Sequence, residues 1–244
     1  MALDPQPTDM IRDPFDEQKW LLEASNVETI LDVGAHIGQT CERYHSLFPG
    51  AHIYSFEPFL QTFEQLKANV SKFENATPIP YAVAKTEGVR EFYSNSASYT
   101  NSLFAAREEA ALWVEPFEQI KNVGKTQVST TTLDIFCHQY NIEQIDILKL
   151  DIQGGELEAF QGAVGLLERQ AIQLIYTETM FVPVYAGQPL FHDLSAFLAK
   201  YGYGLYNLYD LEYGNNAQLK WGNCIFLCPP LLSNTLTRVA LNKA

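Results

Sequence analysis

Basic side chains are scarce in this 244-residue chain: 16 Lys and Arg stand against 29 Asp and Glu, a formal net charge of −13. A phosphate-backbone partner needs a basic footprint, and no Lys/Arg cluster supplies one, so nucleic acid is not expected as a partner. Cysteine is sparse too. Cys41, Cys137, Cys224 and Cys228 are scattered without a Cys-x-x-Cys pair, which argues against a metal or disulfide role and for a reduced, cytoplasmic protein. Cys224 and Cys228, four apart in an expected strand, share one face and belong in the core. No apolar run approaches the ~20 residues of a membrane-spanning helix. The opening Met1–Pro7 lacks the positive and apolar regions of a signal peptide. No membrane partner is expected.

What is present is apolar mass: 47% hydrophobic and 13% aromatic residues, ample for a sizeable core, in a length that suits one large α/β domain or two small ones. The chain is organised around Thr29-Ile30-Leu31-Asp32-Val33-Gly34-Ala35-His36-Ile37-Gly38. Thr29–Val33 reads as a buried parallel strand. Gly34 and Gly38 permit a tight turn before a helix whose free N–H groups face a ligand. A dinucleotide fingerprint would carry a middle glycine. Here that glycine is missing and Asp32 stands at the mouth. Two like charges ~4 Å apart repel by ~4 kcal/mol at an effective dielectric near 20. Asp32 therefore opposes a pyrophosphate and favours a ligand bearing an ammonium and a sulfonium, which S-adenosylmethionine does. The competing reading is that the glycines merely shape a βα turn.

Along the chain, residues 1–14 are expected to be loose, 15–230 to form a single domain, and 231–244 to be a tail. Helices are expected over 15–24, 39–48, 59–70, 105–114, 156–167 and 190–200, and strands over 51–56, 78–84, 145–150 and 172–177. Residues 87–93 alternate and would form an added strand, or a hairpin with 127–131. Strands 201–209 and 222–228 would make an antiparallel edge hairpin. Glu57, 25 positions beyond Asp32, sits where a strand-end acid accepts two hydrogen bonds from a ribose diol; the bland alternative is a solvated glutamate. The insert 94–126 opens on a polar run without glycine or proline and is either an acceptor lid or a plain loop. Strand–helix alternation means a doubly wound sheet, with Asp32, Glu57, Asp151 and Glu178 along one carboxyl-end crevice.

Leu31-Asp32-Val33-Gly34-Ala35-His36-Ile37-Gly38, Phe56-Glu57-Pro58, Thr132-Leu133-Asp134 and Leu148-Lys149-Leu150-Asp151-Ile152-Gln153-Gly154-Gly155-Glu156 together resemble the FkbM family of S-adenosylmethionine-dependent methyltransferases, from about residue 29 to 228. The resemblance implies a Rossmann-like class I methyltransferase sheet, mostly parallel with an antiparallel edge hairpin. It also implies O-methylation of a hydroxyl on a sugar or natural product. Carried over by position, Asp32, Gly34, Ala35, His36 and Gly38 form the methionine-end loop. Glu57 with Pro58 forms the ribose site, and Ala82 joins the cofactor set. Lys149 and Asp151 lie beside the transferring methyl. Two positions depart from the family pattern: His36 replaces an Asn, and Gln153 replaces a Glu, so a role of that acid toward metal or cofactor is not carried over.

An alcohol must lose its proton as the new bond forms. Asp151 is the first candidate base, Glu178 the second and His192 the third. Lys149, on the same strand face as Asp151, either orients that carboxylate and lowers its pKa or is a strand lysine paired across the sheet. Asp151 and Glu178 could hold a divalent cation, though nothing in the spacing demands one. Three functions stay open: an O-methyltransferase on a small hydroxylated acceptor, a non-catalytic cofactor-binding interaction domain, and an NAD-dependent oxidoreductase, which the missing glycine disfavours. The acceptor and the oligomeric state are not readable, although Leu231–Ala244 is apolar enough for a contact.

Overall fold

The computed structural model describes residues 13–241. In chain order the elements are α1 (Pro14–Leu21), β1 (Thr29–Val33), α2 (Gln39–Leu47), β2 (His52–Phe56), α3 (Leu60–Val70), β3 (Ala76–Ile79), β4 (Ala82–Val83), β5 (Gly88–Asn95), β6 (Asn122–Thr131), α4 (Leu133–Tyr140), β7 (Ile145–Leu150), α5 (Glu156–Gln161), α6 (Val164–Glu168), β8 (Ile172–Met180), α7 (Phe191–Ala199), β9 (Gly204–Tyr213), β10 (Leu219–Leu227) and α8 (Pro229–Leu241). Every residue of β7 is buried, as are the last four of β1. Strands covered on both faces are mostly apolar, and these two are, apart from the buried Asp32, Asp146 and Lys149.

Seven strands form one sheet in the order β3-β2-β1-β7-β8-β10-β9. The β1–β2, β2–β3, β1–β7 and β7–β8 pairs are parallel, and β10 runs antiparallel to both β8 and β9. This is the mostly parallel, Rossmann-like sheet with an antiparallel edge that the sequence leads one to expect. Strand order reverses beside β1, so a crevice opens over the carboxyl ends of β1 and β7. The register sets Val33 opposite both Phe56 and Leu150. The residues that follow those three therefore converge.

A second, three-stranded sheet, β4-β6-β5, sits beside the first. Its β5–β6 hairpin is the one anticipated for 87–93 and 127–131, with Gly88 opposite Thr130. Two small apolar clusters accompany it. One joins Ala82, Ala84, Phe92, Leu103 and Val128; the other joins Ala110, Val114 and Ile120 to Met180, Val182, Val184 and Tyr185.

Several boundaries differ for local physical reasons. The strand expected over 78–84 is cut in two at Pro80, which has no N–H to donate, so β3 stays in the large sheet and β4 joins the small one. The helix expected over 156–167 is split at Gly162, where a Cβ would run into the carbonyl oxygen of Ala84. Asp134 then caps α6 by accepting from Gly165 N (2.8 Å) and Leu166 N (2.9 Å). The helix expected over 105–114 is a short 3-10 turn, Glu108–Leu112. Helix α4 was not foreseen; Thr132 caps it by accepting from Ile135 N at 3.0 Å. Strands β8, β9 and β10 are longer than expected, and the turn joining the last two shrinks to 214–218. All four cysteines are buried and unpaired. The stretch set apart as a tail coincides with α8 as far as Leu241. There Leu231 and Thr235 are buried, and Arg238 donates to Trp20 O (2.9 Å) and pairs with Glu23 (3.2 Å). Residues 1–12 of the segment expected to be loose, and 242–244 of that tail, lie outside the described residues.

Candidate active site

The turn after β1 folds tightly because Gly34 N and Ala35 N both donate to Phe56 O, at 3.1 and 2.9 Å. Gly34 has φ +79°, and a Cβ there would strike the Asp151 carbonyl oxygen. Only glycine permits that approach of the β1 and β7 loops. His36 follows at φ +50°, a left-handed position where Asn and His are tolerated better than most residues. Its Nε2 lies 2.8 Å from Ser98 Oγ, which ties the turn to the insert. Burial pulls the His36 imidazole below the ordinary histidine value. Gly38, at φ +100°, ends the turn and begins α2.

Beneath the turn, Asp32 is wholly buried and opposite Lys149 in the β1–β7 register. Lys149 Nζ lies 3.1 Å from Asp32 Oδ1, donates to Gly34 O at 2.9 Å and stands 3.9 Å from Asp151 Oδ2. Burial pulls Lys149 down, but Asp32, Asp151 and Glu178 together hold it above its ordinary value. Lys149 supplies the donor to Asp32 Oδ1, and no donor among the described residues reaches Oδ2. The ammonium that meets Asp32 is thus the protein's own, and Asp32 supports the turn from below instead of facing a ligand.

Above the turn, a cavity enclosing about 640 Å³, partly open to solvent, is lined by Gly34, His36, Glu57, Pro58, Ala82 and Asp151 from the expected set. Asp32, Ala35 and Gly38 shape its floor without lining it. Glu57 is buried; its Oε1 accepts from Phe59 N at 2.9 Å. Burial pushes its pKa up to about 7, against the pull of the Phe59 and His36 backbone amides. A desolvated carboxylate gains most from new donors, and a vicinal diol offers two. The glycine turn and this acid fit the ribose and methionine ends of S-adenosylmethionine.

The far wall carries the catalytic candidates. Gln153 Nε2 donates to Asp151 Oδ1 and to Glu178 Oε2, both at 2.9 Å. The Tyr185 hydroxyl donates to Gln153 Oε1 at 2.8 Å, and Ser102 Oγ donates to Gln153 O at 2.7 Å. Gln153 itself sits at φ +55°. Its amide nitrogen fills the space between the two carboxylates that a cation would need. Among the described residues no group of three or more His, Cys, Asp or Glu could hold a metal ion. Burial, with Asp151 and Glu156 nearby, pushes Glu178 well above the usual carboxylate range. Glu156 accepts from Ile152 N (3.1 Å) and Gly154 N (3.3 Å), so it braces the loop below the pair; burial pushes it up to about 7. His192 is 76% exposed on α7 beside Asp193 and lines neither this cavity nor the next, which removes it as a base.

A second cavity, enclosing about 590 Å³, adjoins the first through Tyr99 and Gln153, which line both. Glu178 opens onto this one. Its remaining wall comes from the insert (Ile120), the end of β8 (Met180), the stretch after it (Val184) and β10 (Trp221). The residues that sequence reasoning missed are Gln153, Tyr185, Ser98 and Tyr99. Only Gln153 carried a signal, as a departure within a recognisable motif.

A model of the FkbM methyltransferase domain matches residues 32–205. The chain is 24% identical over 162 residues to the 2-O-methyltransferase NoeI of Sinorhizobium fredii, covering 65% of this chain and 66% of that protein. It is 23% identical over 175 residues to the hexuronic acid methyltransferase AglP of Haloferax volcanii, covering 69% and 64%. The chain thus spans about two thirds of the length of these curated relatives. Among solved structures it is similar to the precorrin-6y C5,15-methyltransferase of Geobacter metallireducens. There the TM-score is 0.48 and the identity 11%, over 93% of each chain. The domain match spans most of the sequence and contains the glycine turn, Glu57, Asp151 and Glu178, and the chain belongs to the FkbM methyltransferase family.

Proposed function

We propose that this protein is an S-adenosylmethionine-dependent O-methyltransferase acting on a hydroxyl of a small acceptor, a sugar or another hydroxylated metabolite. The observation that carries this reading is the convergence, over the carboxyl ends of β1, β2 and β7, of the Gly34 turn, the desolvated Glu57 and the Asp151–Gln153–Glu178 cluster. The relatives, a 2-O-methyltransferase and a hexuronic acid methyltransferase, support the acceptor class.

Glu57 would take the ribose diol, and the turn from Gly34 to His36 the methionine end. Ala82 and Phe92 provide apolar wall. Bound there, S-adenosylmethionine supplies an electrophilic methyl group. Asp151, with a side chain 44% exposed, takes the acceptor hydroxyl's proton. Gln153 occupies its Oδ1, so Oδ2 is the oxygen presented to the hydroxyl, with the Lys149 ammonium 3.9 Å away. Burial and its acidic neighbours raise Glu178 well above the usual carboxylate range, which favours its neutral form beside Asp151. Holding the hydroxyl in line is the remaining task, and positioning supplies much of such a rate. A divalent cation is not part of this reading.

The test is calorimetry with S-adenosylmethionine and, separately, NAD. S-adenosylmethionine alone is expected to bind, with Glu57→Ala weakening it by about tenfold or more. Since the diol binds the ionised form of a group titrating near 7, affinity is expected to rise with pH through 7 and level off above it. Glu57→Gln is expected to remove that dependence. Binding of NAD instead overturns the reading.

A further inference from the structure

The second cavity has a charge pattern that selects among acceptors. We propose that it is the acceptor pocket and that it takes an uncharged pyranoside, not a hexuronate; this rests on the methyltransferase reading above. Its place fits the first part. Glu178 lines it, Gln153 and Tyr99 are shared with the cofactor cavity, and Asp151 is reached across Gln153.

Its lining fits the second part. The ionisable side chains on its wall are Glu115, Glu178 and the tyrosines Tyr99 and Tyr185, and among the described residues no Lys, Arg or His lines it. Lys149, the buried cation nearby, is committed to Asp32 and Gly34 O. The cations flanking the wall in sequence are committed or outside it: Arg107 pairs with Glu109, Lys220 lies over the Trp221 ring, and Lys121 is exposed and does not line the cavity. An acceptor carboxylate would stand close to Asp151, across Gln153, with no cation on the wall to answer it. The rest of the wall is apolar or aromatic: Ile120, Met180 and Val184 are buried, and half-buried Trp221 adds an indole. Such a surface suits the C–H face of a neutral sugar ring, while the half-buried Gln119 and the Gln153 amide address hydroxyls.

The experiment uses the full chain and a matched pair of probes, 4-nitrophenyl β-glucopyranoside and 4-nitrophenyl β-glucuronide. Binding is read by calorimetry with S-adenosylhomocysteine present, and methyl transfer from labelled S-adenosylmethionine. The glucoside is expected to be bound and methylated, with the glucuronide at least 100-fold poorer in kcat/KM. A second arm uses Gln119→Arg, a half-exposed position outside the cofactor cavity; the added cation is expected to narrow that gap at least tenfold. A glucuronide equal to or better than the glucoside overturns the proposal, as does binding of neither sugar by a protein that binds S-adenosylhomocysteine. Failure to bind either cofactor form overturns the underlying reading instead, and the two failures are told apart by that one titration.

Discussion

Gln153 governs the two carboxylates through its amide. One NH₂ group donates to both Asp151 and Glu178, and its orientation is set by the Tyr185 hydroxyl on the carbonyl side. Gln153→Glu places a third carboxylate against two others, so one more proton must be held to relieve the repulsion. We expect kcat to fall by about tenfold or more at pH 7, with the acid limb of the pH–rate profile moved upward and the chain still folded by circular dichroism. An unchanged profile would show that the amide does not set the protonation of the pair. Lys149 gives a different kind of prediction. Lys149→Met leaves the Asp32 charge buried and unanswered, a loss of about 3–5 kcal/mol for a broken buried pair. Denaturant titration measures it, and adding Asp32→Asn to the same chain should restore part of the stability.

Elements meet where a side chain is missing. At Gly162, between α5 and α6, the backbone touches the Ala84 carbonyl that follows β4. Gly162→Ala is expected to cost about 1–3 kcal/mol by overpacking. Gly50→Ala, whose Cβ would meet nothing within 4 Å, should change stability by less than about 0.5 kcal/mol. Equal effects at both positions, in parallel urea titrations, would refute the close-approach account. The elements legible in the sequence were those whose pattern is local. The apolar runs of β1 and β7, and the helices starting after Gly38 and ending at Pro49-Gly50, carry their own signals. The split of β3 from β4 turns on Pro80 and on which sheet each half joins, and the second condition is not local. The same holds for the site. Gly34, Glu57 and Asp151 follow strand ends and could be found by spacing. Pairing Asp32 with Lys149 needs the β1–β7 register, and the hold of Tyr185 on Gln153 joins residues 32 apart in sequence. Within 94–126 the helical pattern over 105–114 misleads, since the turns of the insert are short 3-10 pieces.

Across the whole molecule, acids gather along one sheet edge of a chain whose net charge is −13. Glu57 and Glu156 have folded-state pKa values of about 7 against an ordinary 4.5, and Glu178 is raised as well. A folded pKa above the unfolded one means protons stabilise the native state. That contribution is complete below about 4.5 and is lost as pH rises through about 7. For Glu57 and Glu156 the shifts correspond to at most about 3 kcal/mol each, and the overall negative charge works in the same direction. Tm is therefore expected to be higher at pH 5.5 than at pH 8 in a thermal scan, and the Glu57→Gln, Glu156→Gln double variant to flatten that difference. A Tm that rises with pH over this range would contradict the burial of these acids. The same molecule also divides its apolar contacts. The insert between β5 and β6 packs on two small clusters of its own, apart from the core that holds the seven-stranded sheet. Substitutions in that span reshape one wall of the second cavity and leave the sheet's interior untouched. On the acceptor reading proposed above, a change of acceptor can come from Val114, Gln119 and Ile120, insert positions that line the second cavity and not the first.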